Sequence, residues 1–137
     1  MKKLVLFFIG FLVVMKGMAQ SPSNKDSLAR VLLAAKEDTD KVILYLNVGE
    51  PFENSDPETA KEYYRQALAL SKKLGYKAGE LKYASYYSSV LNIQGFFDSS
   101  LAVNLNALQM AKKMKDSLAI VKASFNVANS YTFLSKN

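Results

Sequence analysis

Two lysines that stand forty residues apart, Lys82 and Lys122, are the side chains best suited to chemistry at a binding site. An ammonium group attracts carboxylates, and two on one wall, with Asn amides beside them, could hold a carboxylate or an acidic peptide. Candidates for catalysis are weaker. Glu58 and Glu62 lie four residues apart, on one helix face, but two exposed carboxylates on a lysine-rich surface need no acid–base role.

The composition excludes several kinds of site. The 137 residues include no His, no Cys and no Trp, which removes the Ser-His-Asp triad, the Cys nucleophile and zinc sites of the usual ligands. Gly75 and Gly79 are too isolated to form a phosphate-binding loop. We therefore expect no catalytic residues, no metal and no cofactor, and an enzyme of unknown type is only a distant alternative.

The first nineteen residues predict a cleavable signal peptide. Lys2 and Lys3 form a positive end, residues 4–14 are an unbroken apolar run, and small residues precede Gln20, before which cleavage is expected. The run is shorter than the roughly 20 apolar residues that a bilayer span needs. An uncleaved anchor or a buried helix is the alternative. The protein is thus predicted to be exported, periplasmic or secreted, and to meet the membrane only during export.

Removing the leader changes what the charge implies. The whole chain carries 18 basic and 12 acidic residues, but Lys2, Lys3 and Lys16 belong to the leader, which has no acid. The remainder has 15 basic against 12 acidic residues, a net charge of +3. This small excess, together with export, argues against a nucleic-acid partner.

Beyond the leader, apolar residues recur at helical spacing, and no strand-like alternation of useful length appears. The predicted helices cover about 25–36, 42–48, 57–74, 77–94, 98–114 and 116–137. Ser55 with Glu58 matches a capping box, and Gly75 and Gly95 suit helix ends. Leu105 is expected on the apolar stripe of the fifth helix. Because every connection is short, successive helices should pack antiparallel.

The chain also resembles itself after a shift of forty residues. The matches are Ala60 with Ser100, Ala67 with Ala107, Leu68 with Leu108, Lys72-Lys73 with Lys112-Lys113, and Lys82 with Lys122. Such a period predicts an all-α solenoid of antiparallel helix pairs that stack through small residues. After a flexible entry over 20–24, the repeat domain would span 25–137, with units of about 41–80, 81–120 and an incomplete 121–137. A helical bundle with accidental self-similarity is the alternative.

The segment from Gly95 to Leu101, followed by Ala107-Leu108, resembles the tetratricopeptide repeat family in its turn glycine, aromatic, small residue and later alanine. The resemblance covers about residues 40–137. Several positions depart from the family pattern: Ala84 and Ser124 replace a bulky residue, Ser88 and Ala128 a glycine, and Asn104 an aromatic. The period of forty also exceeds the usual 34.

The resemblance implies that the first helix of each pair lines a concave surface that binds a protein or peptide of unknown identity. By position, this surface would comprise Tyr45, Phe52, Lys82, Ser85, Ser89, Asn92, Lys122, Phe125, Asn129 and Phe133. The function implied is a non-catalytic, exported interaction scaffold. The layout of leader and repeats also resembles the extracytoplasmic region of bacterial sensor histidine kinases, so an N-terminal sensor fragment of a longer signalling protein is the alternative.

The last predicted helix lacks a second helix to cover it. Val127, Tyr131 and Leu134 should then each face partly into water, although burying a Leu-sized side chain is worth about 1.5–3 kcal/mol. Either the sequence is the front part of a longer protein, which we favour, or the last helix pairs with another chain. The second case would make self-association through this helix possible.

Overall fold

The computed structural model describes residues 24–136, and within them all regular secondary structure is helical, which confirms the predicted all-α class. The elements are α1 (Asn24–Ala34), α2 (Thr39–Gly49), a short 3-10 helix (Glu50–Phe52), α3 (Pro57–Leu74), α4 (Lys77–Ile93), α5 (Phe97–Met114) and α6 (Ser117–Lys136). The predicted signal peptide over 1–19, its cleavage before Gln20 and most of the entry over 20–24 lie outside the described residues. None of the described helices has the length and apolar character of a membrane span.

Helices α3 and α4 pack against each other and run antiparallel. Near the start of α3, Glu58 Oε1 accepts a hydrogen bond of 3.3 Å from Gln94 Nε2, just beyond the end of α4. Further along, Arg65 Nη2 donates to the Tyr87 hydroxyl at 3.5 Å. The two contacts show that the helices run in opposite directions, since the earlier residue of α3 meets the later residue of α4. The connection consists of residues 75 and 76 alone, and so short a connection makes successive helices pack antiparallel.

Helices α5 and α6 form a second antiparallel pair, and α6 also lies beside α4. Asn104 Nδ2 of α5 donates to Ser130 Oγ of α6 at 2.9 Å. On the other flank of α6, Asn126 Nδ2 donates to Ser85 Oγ of α4 at 3.3 Å. Contacts likewise join α2 to α4. Helices α2, α4 and α6 therefore stand next to one another, while α3 and α5 lie behind them.

Local chemistry accounts for the helix ends, with one correction. The N-cap of α3 is Asp56, whose carboxylate accepts from Thr59 N at 3.2 Å, and the capping box predicted from Ser55 and Glu58 is wrong. Pro57 occupies the first helical position, so the residue directly before it becomes the cap.

The two antiparallel pairs share a turn geometry at the end of their first helices. The backbone at Gly75 closes α3 in the left-handed region with φ 65°, as predicted. Forty residues later Lys115 closes α5 in the same region with φ 55°, although it carries a side chain.

The core lies where α2, α3 and α4 meet. It is built on Val42, Leu46, Ala60, Tyr64, Ala67, Leu70 and Val90. Tyr64 is fully buried, and its hydroxyl donates to Glu53 Oε1 at 2.6 Å. Helix α2 approaches this ring so closely that a Cβ on Gly49 would come within 2.6 Å of Tyr64 Cε1. The glycine therefore permits the close packing of α2 on α3.

Helices α3 and α5 bury corresponding positions. The buried set in α3 includes Ala60, Tyr64, Ala67 and Ser71, and the buried set in α5 is Ser100, Asn104, Ala107 and Ala111. Each member of one set stands forty residues from a member of the other. The predicted apolar stripe of α5 is wrong at Leu105, which is exposed, while Ala111 of the same stripe is buried. Small and amide side chains occupy the buried face because α5 lies between two close helices.

Helix α6 is covered on one side. Ala123, Val127 and Ser130 are its buried residues, so the expectation that Val127 would face partly into water is wrong. Tyr131 is exposed, as expected, and Leu134 is half-buried. Val127 is buried because α6 packs against both α5 and α4.

Candidate functional site

A groove runs between α4 and α6, and residues of α5 contribute to its lining. Two cavities open along it, and Ser85 and Asn126 line both. These two side chains are hydrogen-bonded to each other at 3.3 Å, so they form a bridge that divides the groove into two ends. The end towards the C-termini of α4 and α6 is called the amide end, and the end towards their N-termini the lysine end.

The amide end is a cavity of about 370 Å³ with neutral polar walls. Its lining residues are Ser85, Ser88, Ser89, Asn92, Ile93, Asn104, Asn126, Asn129 and Phe133. Four side-chain amides and three hydroxyls therefore face one space. Each amide offers both donors and an acceptor, so this wall suits a ligand that carries both kinds of group, such as a peptide backbone.

Asn104 fixes the orientation of the hydrogen-bonding groups at the amide end. Its Nδ2 donates to Ser130 Oγ at 2.9 Å and to the Asn126 carbonyl at 3.4 Å, so its Oδ1 must be the acceptor left over. That oxygen and Asn92 Oδ1 are buried and accept no hydrogen bond from the described residues. Buried acceptors of this kind are rare and favour a hydrogen-bond donor beside them.

The lysine end is a cavity of about 340 Å³ that holds both lysines of the predicted pair. Its lining residues are Ala78, Leu81, Lys82, Ser85, Tyr86, Ala107, Met114, Asp116, Leu118, Ala119, Lys122, Ala123 and Asn126. Neither Lys82 nor Lys122 forms a salt bridge within residues 24–136. The acid in this lining, Asp116, accepts from Ala119 N at 3.0 Å at the start of α6. Two ammonium groups are thus available to an anionic ligand.

A carboxylate next to the groove ties α4 to the preceding pair. Glu53, after the 3-10 helix, accepts from Tyr64 through Oε1 and from Ser89 Oγ at 3.0 Å through Oε2. Burial raises the pKa of Tyr64 above its usual value, and the hydrogen bond to Glu53 raises it further. Ser89 is therefore partly committed to a structural contact.

The structure brings seven of the ten sequence-predicted residues to the groove. These are Lys82, Ser85, Ser89, Asn92, Lys122, Asn129 and Phe133. Phe133 also stacks on Phe97, with ring centroids 5.7 Å apart. The clustering follows from the side-by-side placement of α4 and α6.

The remaining three residues lie elsewhere. Tyr45 is half-buried on α2 under the Lys41 ammonium, 5.9 Å from the ring centroid. Phe52 is half-buried and stacks on Tyr63 at 6.1 Å. Phe125 is exposed on a side of α6 that does not line the groove.

Among the amide and hydroxyl residues of the amide end, sequence reasoning missed Ser88, Asn104 and Asn126. In the sequence, Ser88 and Asn104 stand out only as departures from a family pattern. Asn126 stands forty-one residues after Ser85, to which it bonds, so it falls one residue outside the forty-residue register. Asn104 comes from a helix that was not expected to face the groove, and no spacing signal marked it.

No protein-family model matches the chain, and no curated protein or solved structure matches it either. The described residues contain no cluster of three or more acidic residues placed to hold a metal ion.

Proposed function

We propose that this chain is an exported, non-catalytic scaffold of the tetratricopeptide repeat type that binds an extended peptide segment in the groove between α4 and α6. The observation that carries the proposal is the division of this groove into an end rich in amides and an end with two lysines that form no salt bridge within residues 24–136. Export is inferred from the pattern of the first nineteen residues.

The repeat architecture is supported by equivalent residues in successive pairs. Helices α3 and α5 have matching buried faces forty residues apart, and their left-handed ends at Gly75 and Lys115 share the same spacing. Helices α2, α4 and α6 stand in one row. In this interpretation α2–α3 and α4–α5 are successive units, α6 opens the next, and the row forms the concave surface.

The chemistry of the groove favours a peptide with an acidic segment. An extended peptide exposes alternating N–H and C=O groups, which the amides of Asn92, Asn126 and Asn129 can donate to or accept from. The ammonium groups of Lys82 and Lys122 would attract a carboxylate at the other end. A ligand of this kind would lie along the groove, with its negative charge over the lysine end.

A binding role is favoured over catalysis by the positions of the acidic residues. Glu58 forms a salt bridge with Lys61 at 2.5 Å, and Glu62 pairs with Arg65 at 3.6 Å. Both lie on α3, away from the groove. The acid that lines the groove, Asp116, caps α6. These carboxylates have structural partners, and the arrangement offers no pair placed across a cleft for acid–base work.

The test compares two double charge reversals with the same forty-residue spacing. Lys82→Glu with Lys122→Glu removes the lysine end, while Lys72→Glu with Lys112→Glu changes exposed lysines on α3 and α5. Binding of fluorescent peptide pools, one rich in Asp and Glu and one rich in Ser and Gln, is measured by anisotropy on the exported protein. We expect the first variant to bind the acidic pool at least about tenfold more weakly, or about 1.4 kcal/mol.

The control variant should keep its affinity for the acidic pool, and circular dichroism should show both variants helical. Raising the ionic strength should weaken binding of the acidic pool to the native protein, because exposed charges are screened. Equal affinity of the groove variant and the native protein would remove the lysine end from the binding site. Absence of binding to either pool would reject the proposed function.

A further inference from the structure

One face of α6 is uncharged and exposed, and its first half is apolar. It is formed by Leu118, Val121, Phe125, Ala128, Thr132 and Ser135, which we call the outer seam. Leu118 is 62% exposed, and Val121 and Phe125 are each 65% exposed. The outer seam faces away from the buried residues of α6, and α5 and α4 are the helices against which α6 packs in the described chain. Exposed apolar groups this close together mark interaction sites.

One position of the outer seam has a buried counterpart on α4. Ser88, forty residues before Ala128, is buried, and its carbonyl accepts from Ser100 Oγ of α5 at 3.2 Å. Ser85, forty residues before Phe125, is exposed and lines the groove. Because a small residue at Ser88 lets a helix approach α4 closely, the exposed Ala128 suits the close approach of another helix to α6.

The spacing of the outer seam is that of a two-helix coiled coil. Its residues alternate between steps of three and four, which keeps them in one line along a partner helix. The bulky members, Leu118, Val121 and Phe125, lie in the first half of α6, and the small members lie in the second half. A helix with this gradient complements a copy of itself that runs in the opposite direction.

The register of such a pair follows from its two-fold symmetry. With the axis between residues 126 and 127, the midpoint of α6, Phe125 of one copy faces Ala128 of the other. Likewise Val121 faces Thr132, and Leu118 faces Ser135. Every bulky side chain then meets a small one. A parallel pair would instead place Phe125 against Phe125 and leave gaps at the small residues.

Charge also selects the antiparallel arrangement. Asp116 lies at the N-terminus of α6 and Lys136 in its last turn. Antiparallel pairing therefore brings Asp116 of one copy close to Lys136 of the other at each of the two ends of the helix pair. The helix dipoles oppose each other favourably as well. A parallel pair would bring lysine next to lysine and acid next to acid.

From these observations we infer that the outer seam is a self-association surface, on which a second copy of this chain docks through antiparallel pairing of α6 with α6. The resulting dimer is closed, since the same surface is used by both copies. The groove lies on another flank of α6, so dimerisation and peptide binding use different residues, apart from Leu118 at the rim of the lysine end.

Analytical ultracentrifugation of the full chain expressed with its own leader tests this inference over a wide concentration series. We expect the mass to rise to that of a dimer. Phe125→Lys should keep the protein monomeric throughout, because it places two charges in the seam. The control, Phe96→Lys, changes a phenylalanine that is 53% exposed before α5, and this variant should dimerise like the native protein. Circular dichroism checks that both variants stay helical.

Cysteine cross-linking tests the orientation, because the chain has no cysteine of its own. A mixture of Val121→Cys and Thr132→Cys should form the mixed disulfide dimer, while Val121→Cys alone should not cross-link. Self-cross-linking of Val121→Cys would overturn the antiparallel register. A native chain that stays monomeric at every concentration, a dimer that survives Phe125→Lys, or a seam occupied only by a different helical protein would overturn self-association.

Discussion

Replacing Ala67 by leucine should force α3 away from its neighbours and destabilise the protein. Ala67 has no exposed surface and belongs to the core cluster with Leu46, Tyr64 and Val90. Leucine adds three carbon atoms at a point where helices touch through an alanine. Overpacking of this kind costs about 1–3 kcal/mol. For a domain of this size, that corresponds to a fall in melting temperature of roughly 4–15 °C.

The matched control is Ala69→Leu, two residues further along the same helix, where the side chain is exposed. Alanine and leucine have similar helix propensities, so the difference between the two variants isolates the packing cost. Thermal and urea unfolding, followed by far-ultraviolet circular dichroism, gives both stabilities. If Ala67→Leu melts within a degree or two of Ala69→Leu, the helices do not pack through this alanine, and the reasoning about small residues at the crossings fails.

Two further predictions concern a helix end and the tyrosines. Asp56→Ala should lower the free energy of unfolding by about 1 kcal/mol through loss of the cap on Thr59 N, whereas Ser55→Ala should leave it unchanged; equal effects in urea unfolding would contradict the assignment of the cap. Burial raises the pKa of Tyr64 and raises that of Tyr83 to about 12. An unfolded tyrosine titrates near pH 10, so the unfolded state loses these protons first, and the stability that is constant below about pH 9 should fall as the pH rises past about 10. Tyr83→Phe should make this fall shallower, and urea unfolding that is unchanged by the substitution would contradict it.

The helices themselves could be predicted because their signals are local. Pro57 at a first turn and Gly75 at a left-handed end act through backbone geometry that needs no tertiary context. The buried face of α5 could not be predicted in the same way. The hydrophobicity of leucine predicts that Leu105 is buried, but Ser100 and Asn104 are the residues that face α4 and α6. Their polar groups can be buried because Ser100 donates to the Ser88 carbonyl and Asn104 donates to Ser130 Oγ.

The candidate site was predictable where it follows the repeat. The forty-residue spacing of Lys82 and Lys122 places them in one cavity because α4 and α6 have the same position in successive pairs. Phe52 does not follow this spacing, since a 3-10 helix follows α2 and Phe52 stacks on Tyr63. Asn104 enters the groove from behind, which only the packed arrangement of three helices reveals.

The left-handed backbone at Lys115 has a consequence for how the groove behaves over time. A residue with a side chain costs about 1 kcal/mol more than glycine in this conformation, and within residues 24–136 α6, which follows it, packs on one side alone. While its other side is uncovered, α6 should therefore detach and re-form more often than α3 or α4. Because α6 is one wall of the groove, only the closed fraction of molecules can bind, and a bound peptide would in turn keep that helix in place.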